Sequence, residues 1–135
     1  MPGRRVSSVR PLVVVAAVSG LYDVLLGVAM LAGRAFLQSA FALPPPVPPI
    51  HADLNGLFLL AVGVGYYWPY RDPDRFRSYL WVMGPLLKGG GSLLFLADHV
   101  LRGSPGAFLA FALTDGTLAV WSLWALLRAP ASARG

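Results

Sequence analysis

Apolar residues fall in four long blocks along this chain, separated by short stretches where Arg, Asp, Pro and Gly collect. The first block, residues 11–32, reads PLVVVAAVSGLYDVLLGVAMLA and carries one charged residue, Asp23. Residues 52–68, 79–101 and 106–127 form the other three. An α-helix rises about 1.5 Å per residue, so a run of about 20 apolar residues crosses the hydrocarbon layer of a bilayer. The pattern predicts an all-α fold, an antiparallel four-helix transmembrane bundle forming a single membrane domain over residues 1–135.

The connectors support that division. Residues 34–50 end in PPPVPP, where closely spaced prolines exclude regular helix and favour polyproline II, a stiff surface spacer. The segment before them, up to Leu43, suits the interface. RDPDRFR makes a charged turn between the second and third blocks, and RGSPG turns the chain into the fourth, with Pro105 suited to a helix start. The aromatic group Tyr66, Tyr67, Trp68 and Tyr70 matches the belt that settles at headgroup depth. Arg4, Arg5 and Arg10 precede the first block as in a signal peptide, but its length and Asp23 favour a retained helix.

Composition changes the picture in one respect. Of 135 residues 56% are hydrophobic and 13% charged, against roughly a quarter charged in ordinary soluble domains, so lipid is the expected solvent. The net charge of +5 lies mostly between the apolar blocks and not on one periodic face, which excludes a nucleic-acid groove. It marks topology instead. Arg4, Arg5, Arg10, Arg71, Arg75, Arg77, Arg128 and Arg134 fall on one side, and only Arg34 and Arg102 on the other. The positive-inside rule then puts both termini in the cytoplasm and the proline loop outside, in a multi-pass protein of a bacterial-type inner membrane. With no cysteine, thiolate metal sites, disulfides and cysteine nucleophiles are excluded.

Three ionisable residues lie inside the blocks. Helical rise puts Asp23 roughly 18 Å, Lys88 roughly 14 Å and Asp115 roughly 16 Å from the cytoplasmic side. Each costs about 2.5 to 3.5 kcal/mol at a lipid-facing helix centre, so each should turn inward and find a partner. Lys88, the only lysine, is expected as a hub between the two aspartates in a shared ion pair, where like charge in low dielectric disfavours ionisation of both carboxylates together and favours a proton on one. Such a set either fixes helix register or forms an intramembrane site for a ligand or a proton.

A second polar set, His51, Asp53, Asn55, Asp98 and His99, falls at the outer ends of the second and third blocks. Two His and two Asp have the chemistry of divalent-metal ligands, but no His pair has i, i+4 spacing, and no metal site is assigned. Asp53 as a helix N-cap and Asp98 paired with Arg102 give the alternative. Ala16 and Gly20, Ala29 and Gly33, Ala61 and Gly65, and Ala112 and Gly116 make small-xxx-small pairs that let helices approach. Gly89, Gly90 and Gly91, after Pro85, weaken the third helix and leave space for a neighbouring helix or a ligand. KGGGS lacks the strand-loop-helix setting of a phosphate loop. No catalytic constellation is identified, and no residue pattern names a cofactor.

GLYDVLLGVAML, NGLFLLAVGVGYYWPYRDPDRFR and the Gly-rich third block together resemble the DoxX-like group of small four-helix bacterial membrane proteins. That resemblance implies an accessory role in membrane redox or quinone-linked systems, and it transfers no role to any numbered residue. The expectation is a small integral membrane protein, an accessory or small-molecule-binding component partnered by the bilayer and by a larger complex or further copies of itself. A ligand- or proton-coupled transporter is the first alternative. A membrane enzyme acting on a lipid or quinone is the second, less favoured because no catalytic set is present.

Overall fold

The computed structural model describes residues 3–129, with side chains described from Val9 onward. Arg134 and the side chains of Arg4 and Arg5, three of the cations in the topological count, lie outside that description. Every regular element among the described residues is a helix, and there are no strands among them. The elements are α1 (Gly3–Ala32), α2 (Arg34–Phe41), α3 (Ile50–Gly65), α4 (Tyr67–Arg71), α5 (Arg77–Trp81), a π-helical turn (Val82–Lys88), α6 (Gly89–Arg102) and α7 (Phe108–Arg128).

Three stretches are long and apolar enough to cross a membrane: Val9–Ala32, Arg77–Arg102 and Phe108–Arg128. The expected second span departs from a single continuous helix. Its helix α3 has 16 residues and stops at Gly65; Tyr66 then shares its N–H between the carbonyls of Val62 and Gly63 before α4 resumes. Pro69 supplies the reason, because it has no N–H to bond the Gly65 carbonyl one turn back. The third span differs in the opposite sense. Its glycine trio leaves the helix unbroken, and the irregularity sits earlier, where Pro85 lies within the π-helical turn. Pro85 has no N–H for the Trp81 carbonyl, and a widened turn accommodates the lost bond.

The distribution of side chains is inverted relative to a water-soluble domain. Along α1, Val14, Val18, Leu21, Leu25 and Val28 recur at helical spacing and are all exposed, while Ser19 and Asp23 on the opposite face are fully buried. Lys88 and Ser122 are buried too, whereas Leu93, Leu94, Leu113 and Val120 are exposed. An apolar exterior enclosing a few buried polar and charged groups is stable where the surrounding solvent is hydrocarbon.

Close contacts set the helix directions. A Cβ on Gly20 would lie 2.8 Å from Tyr66 Cβ, one on Gly27 2.7 Å from the Leu60 nitrogen, and one on Gly63 2.6 Å from the Val24 nitrogen. Rising positions on α1 therefore meet falling positions on α3, and the pair is antiparallel with its backbones nearly touching. The same holds for α6 and α7: Ser92 donates to the Ala112 carbonyl at 2.7 Å, Gly89 faces Ala119, and Gly84 is pressed against Ser122. Arg77 donates to the carbonyl of Leu126, tying the start of α5 to the last turn of α7. Of the predicted small-residue pairs, Gly20 works as expected, but Gly27, Gly56 and Gly63 carry more of the α1–α3 contact than the pairs in Ala29–Gly33 or Ala61–Gly65.

The interior has two unlike halves. Leu12, Val15, Ala16, Val62, Tyr66, Leu80, Ala125, Leu126 and Ala129 make a dense core at the end nearer the termini. Towards the opposite end the helices separate around an open space.

Candidate functional site

That space is a cavity of about 520 Å³, within the 300 to 1,000 Å³ range of small-molecule sites. Its walls are apolar and aromatic, with Leu26, Met30, Phe58, Phe95, Phe108 and Phe111 among them, and its mouth is formed by Arg34, Gln38, His51 and the prolines Pro44 and Pro46. Its floor is Asp23, Lys88 and Asp115, at the boundary with the dense core. From Asp23 to Met30 it follows about 10 Å of α1.

The floor follows from local structure. The π-helical turn ends at Lys88, and Gly84 within it lets the turn press on α7 at Ser122, which directs Lys88 inward. Lys88 Nζ donates to Asp23 Oδ1 at 2.5 Å and lies 3.6 Å from Asp115 Oδ1. Lys88 is 4% exposed, Asp23 fully buried and Asp115 21% exposed towards the cavity. Three helices thus place their intramembrane charges at one level. The ion pair with Asp23 is tight and the contact with Asp115 looser. Asp23 Oδ2 is buried without a hydrogen-bond partner.

Tyr22 packs against the floor from outside the cavity lining. Its ring lies 5.0 Å from Lys88 Nζ, an added stabilisation for a cation held away from water. Its hydroxyl shares a 2.8 Å hydrogen bond with Thr114 Oγ1, which also lies 3.0 Å from the Ala110 carbonyl. Below the floor, Ser19 and Tyr66 bring buried hydroxyls together without a regular hydrogen bond.

The outer polar set does not come together as one site. Asp53 is not the N-cap of α3, which has no side-chain cap; it pairs with Arg34, the first residue of α2, just past the end of α1. Asp98 pairs with Arg102 at 2.9 Å, one helical turn away, and His99 Nδ1 is 2.7 Å from the Ser104 carbonyl. His51 and Asn55 line the cavity instead. No group of three or more metal-ligating side chains converges among the described residues.

The glycine trio divides between the two uses expected of it. Gly89 faces Ala119, a Cβ on Gly90 would touch nothing within 4 Å, and Gly91 lines the cavity, where an added Cβ would lie 3.8 Å from Asp115 Oδ2. Sequence reasoning missed Tyr22, Arg34 and the phenylalanines. Tyr22 had a signal, an aromatic residue next to the buried Asp23 at mid-span. The phenylalanines had none, because an apolar residue facing lipid and one facing a cavity look alike in sequence. Comparisons with protein-family models, with curated proteins and with solved structures return no match.

Proposed function

We propose that this is a small multi-pass integral protein of the inner membrane that binds a small molecule inside a four-helix antiparallel bundle, as an accessory component of a membrane system. The single observation that carries the reading is the aromatic-walled cavity of about 520 Å³ with Lys88, Asp23 and Asp115 as its floor. Ion pairs that only set helix register have no need of an adjoining open chamber. A dense core at one end and a cavity at the other suits an occupant that enters from the mouth and meets the charges last.

The topology in this proposal is drawn from three apolar helices and from the cation distribution, with α3 and α4 together forming the remaining crossing. At about 1.5 Å per residue, their combined length matches the hydrocarbon layer. Both termini are then cytoplasmic, and the mouth opens on the outer side. The DoxX-like resemblance is consistent with this layout and with a role beside a larger membrane complex or further copies of the chain.

Native mass spectrometry of the full chain, extracted with its own lipids into nanodiscs, tests the binding reading. A retained small molecule is expected on the wild type and not on Gly91→Leu, whose added side chain occupies the space above Asp115. Identical adducts on the two proteins, or none on either, contradict it. A second reading, ligand transport, is favoured by the π-helical turn that ends at Lys88, since such turns mark places where a helix changes register.

A further inference from the structure

Resting on the reading that the cavity holds a small molecule, we propose that the occupant is a cation, an amphipathic amine. Its ammonium is received by Asp23 and Asp115, and its apolar body lies among Phe58, Phe95 and Phe111. Charge at the floor is unbalanced. Lys88 neutralises one of the two carboxylates and is held 2.5 Å from Asp23, leaving Asp115 at 3.6 Å and open to the cavity. The other carboxylate is neutralised either by a proton or by a second positive partner, and a ligand ammonium is such a partner.

Hydrogen bonding points the same way. Asp23 is fully buried, lines the cavity, and its Oδ2 has no donor. An ionised carboxylate only accepts, so the missing partner is a donor, and an ammonium brings three. Tyr22 cannot supply it, since its hydroxyl is committed to Thr114. An anion at the floor meets Asp115, the most exposed of the three charges, and is repelled by it. At the mouth, the charge of Arg34 is offset by its pairing with Asp53. The phenylalanine faces carry the negative side of the ring quadrupole, which attracts cations along the same path.

The probes are three molecules with one apolar body and different heads: 4-phenylbutylamine, 4-phenylbutanol and 4-phenylbutyrate. Binding is measured by calorimetry on the full chain in nanodiscs of neutral lipid, with empty nanodiscs subtracting partition into lipid. The amine is expected to bind about tenfold tighter than the alcohol, the usual gain of a charge-assisted over a neutral hydrogen bond, and the carboxylate weakest. Asp115→Asn is expected to bring amine and alcohol within about threefold by weakening the amine alone. Equal binding of amine and alcohol by the wild type, or a preference for the carboxylate, overturns the cation assignment and leaves the cavity reading standing. Binding of none of the three, with Gly91→Leu indistinguishable from wild type, overturns both. The wild-type ranking decides the matter even where Asp115→Asn fails to fold.

Discussion

Replacing Lys88 by methionine nearly keeps the reach of the side chain and removes its charge. In the native protein Nζ is 2.5 Å from Asp23 Oδ1 and 3.6 Å from Asp115 Oδ1, with Lys88 4% and Asp23 0% exposed. Deleting one member of such a pair strands a buried carboxylate and costs about 3 to 5 kcal/mol. Asp115→Asn removes only the looser contact, on a residue 21% exposed, and leaves Asp23 to neutralise Lys88. Its cost is about 1 kcal/mol or less. Replacing Lys88 by Met and both aspartates by Leu removes every charge together and recovers most of the loss, because apolar replacement of a whole buried ion set is often neutral. Reversible unfolding by sodium dodecyl sulfate in mixed micelles, followed by tryptophan fluorescence, gives the ranking. Lys88→Met within about 1 kcal/mol of wild type, or Asp115→Asn as costly as Lys88→Met, would refute the reasoning.

The glycines give a contrast within one residue type. Gly63→Ala puts a Cβ 2.6 Å from the Val24 nitrogen and should cost about 1 to 3 kcal/mol by overpacking. Gly90→Ala meets nothing within 4 Å on a helical backbone and should gain about 0.5 to 1 kcal/mol; the same unfolding titration reads both. Arg77→Met leaves the Leu126 carbonyl without its charged donor, for a loss of about 1.5 to 3 kcal/mol concentrated at the end of α7, visible in amide exchange there. For topology, the chain's lack of cysteine makes single introduced thiols unambiguous. A membrane-impermeant maleimide applied to intact cells should label Val47→Cys, at a site 89% exposed, and not Pro73→Cys; the reverse pattern inverts the orientation.

Much of the architecture was legible because a membrane simplifies the code. The buried charges Asp23, Lys88 and Asp115 were readable as one set, since three costly residues at matching depth on different helices have few ways to be satisfied. Short-range chemistry also carried through for Asp98, whose partner Arg102 lies one turn along the same helix. Pairings set by chain reversal did not. Asp53 finds Arg34 because the antiparallel packing of α1 on α3 brings the end of one beside the start of the other, and a capping rule applied to the residues around Asp53 has no access to that packing. Pro69 and Pro85 were visible in the sequence, yet a proline shows only that a hydrogen bond is lost, and not that one helix would break at Tyr66 while the other widens into a π-helical turn. The cavity was least legible. A void is a property of how far helices stand apart, and only Gly91, a missing side chain beside Asp115, hinted at it.

Lys88 is the only lysine in the chain, so labelling lysine with nitrogen-15 gives a single side-chain amine signal from the whole protein. Solid-state NMR in lipid bilayers, combined with carbon-13 at the aspartate side-chain carboxyls, measures which carboxyls lie beside it. The account predicts dipolar coupling to two aspartates, a stronger one lost in Asp23→Asn and a weaker one lost in Asp115→Asn, together with a shift of the amine signal when Gly91→Leu fills the space above them. Coupling to neither aspartate, or an amine signal indifferent to Gly91→Leu, would contradict a charged floor beneath an open cavity.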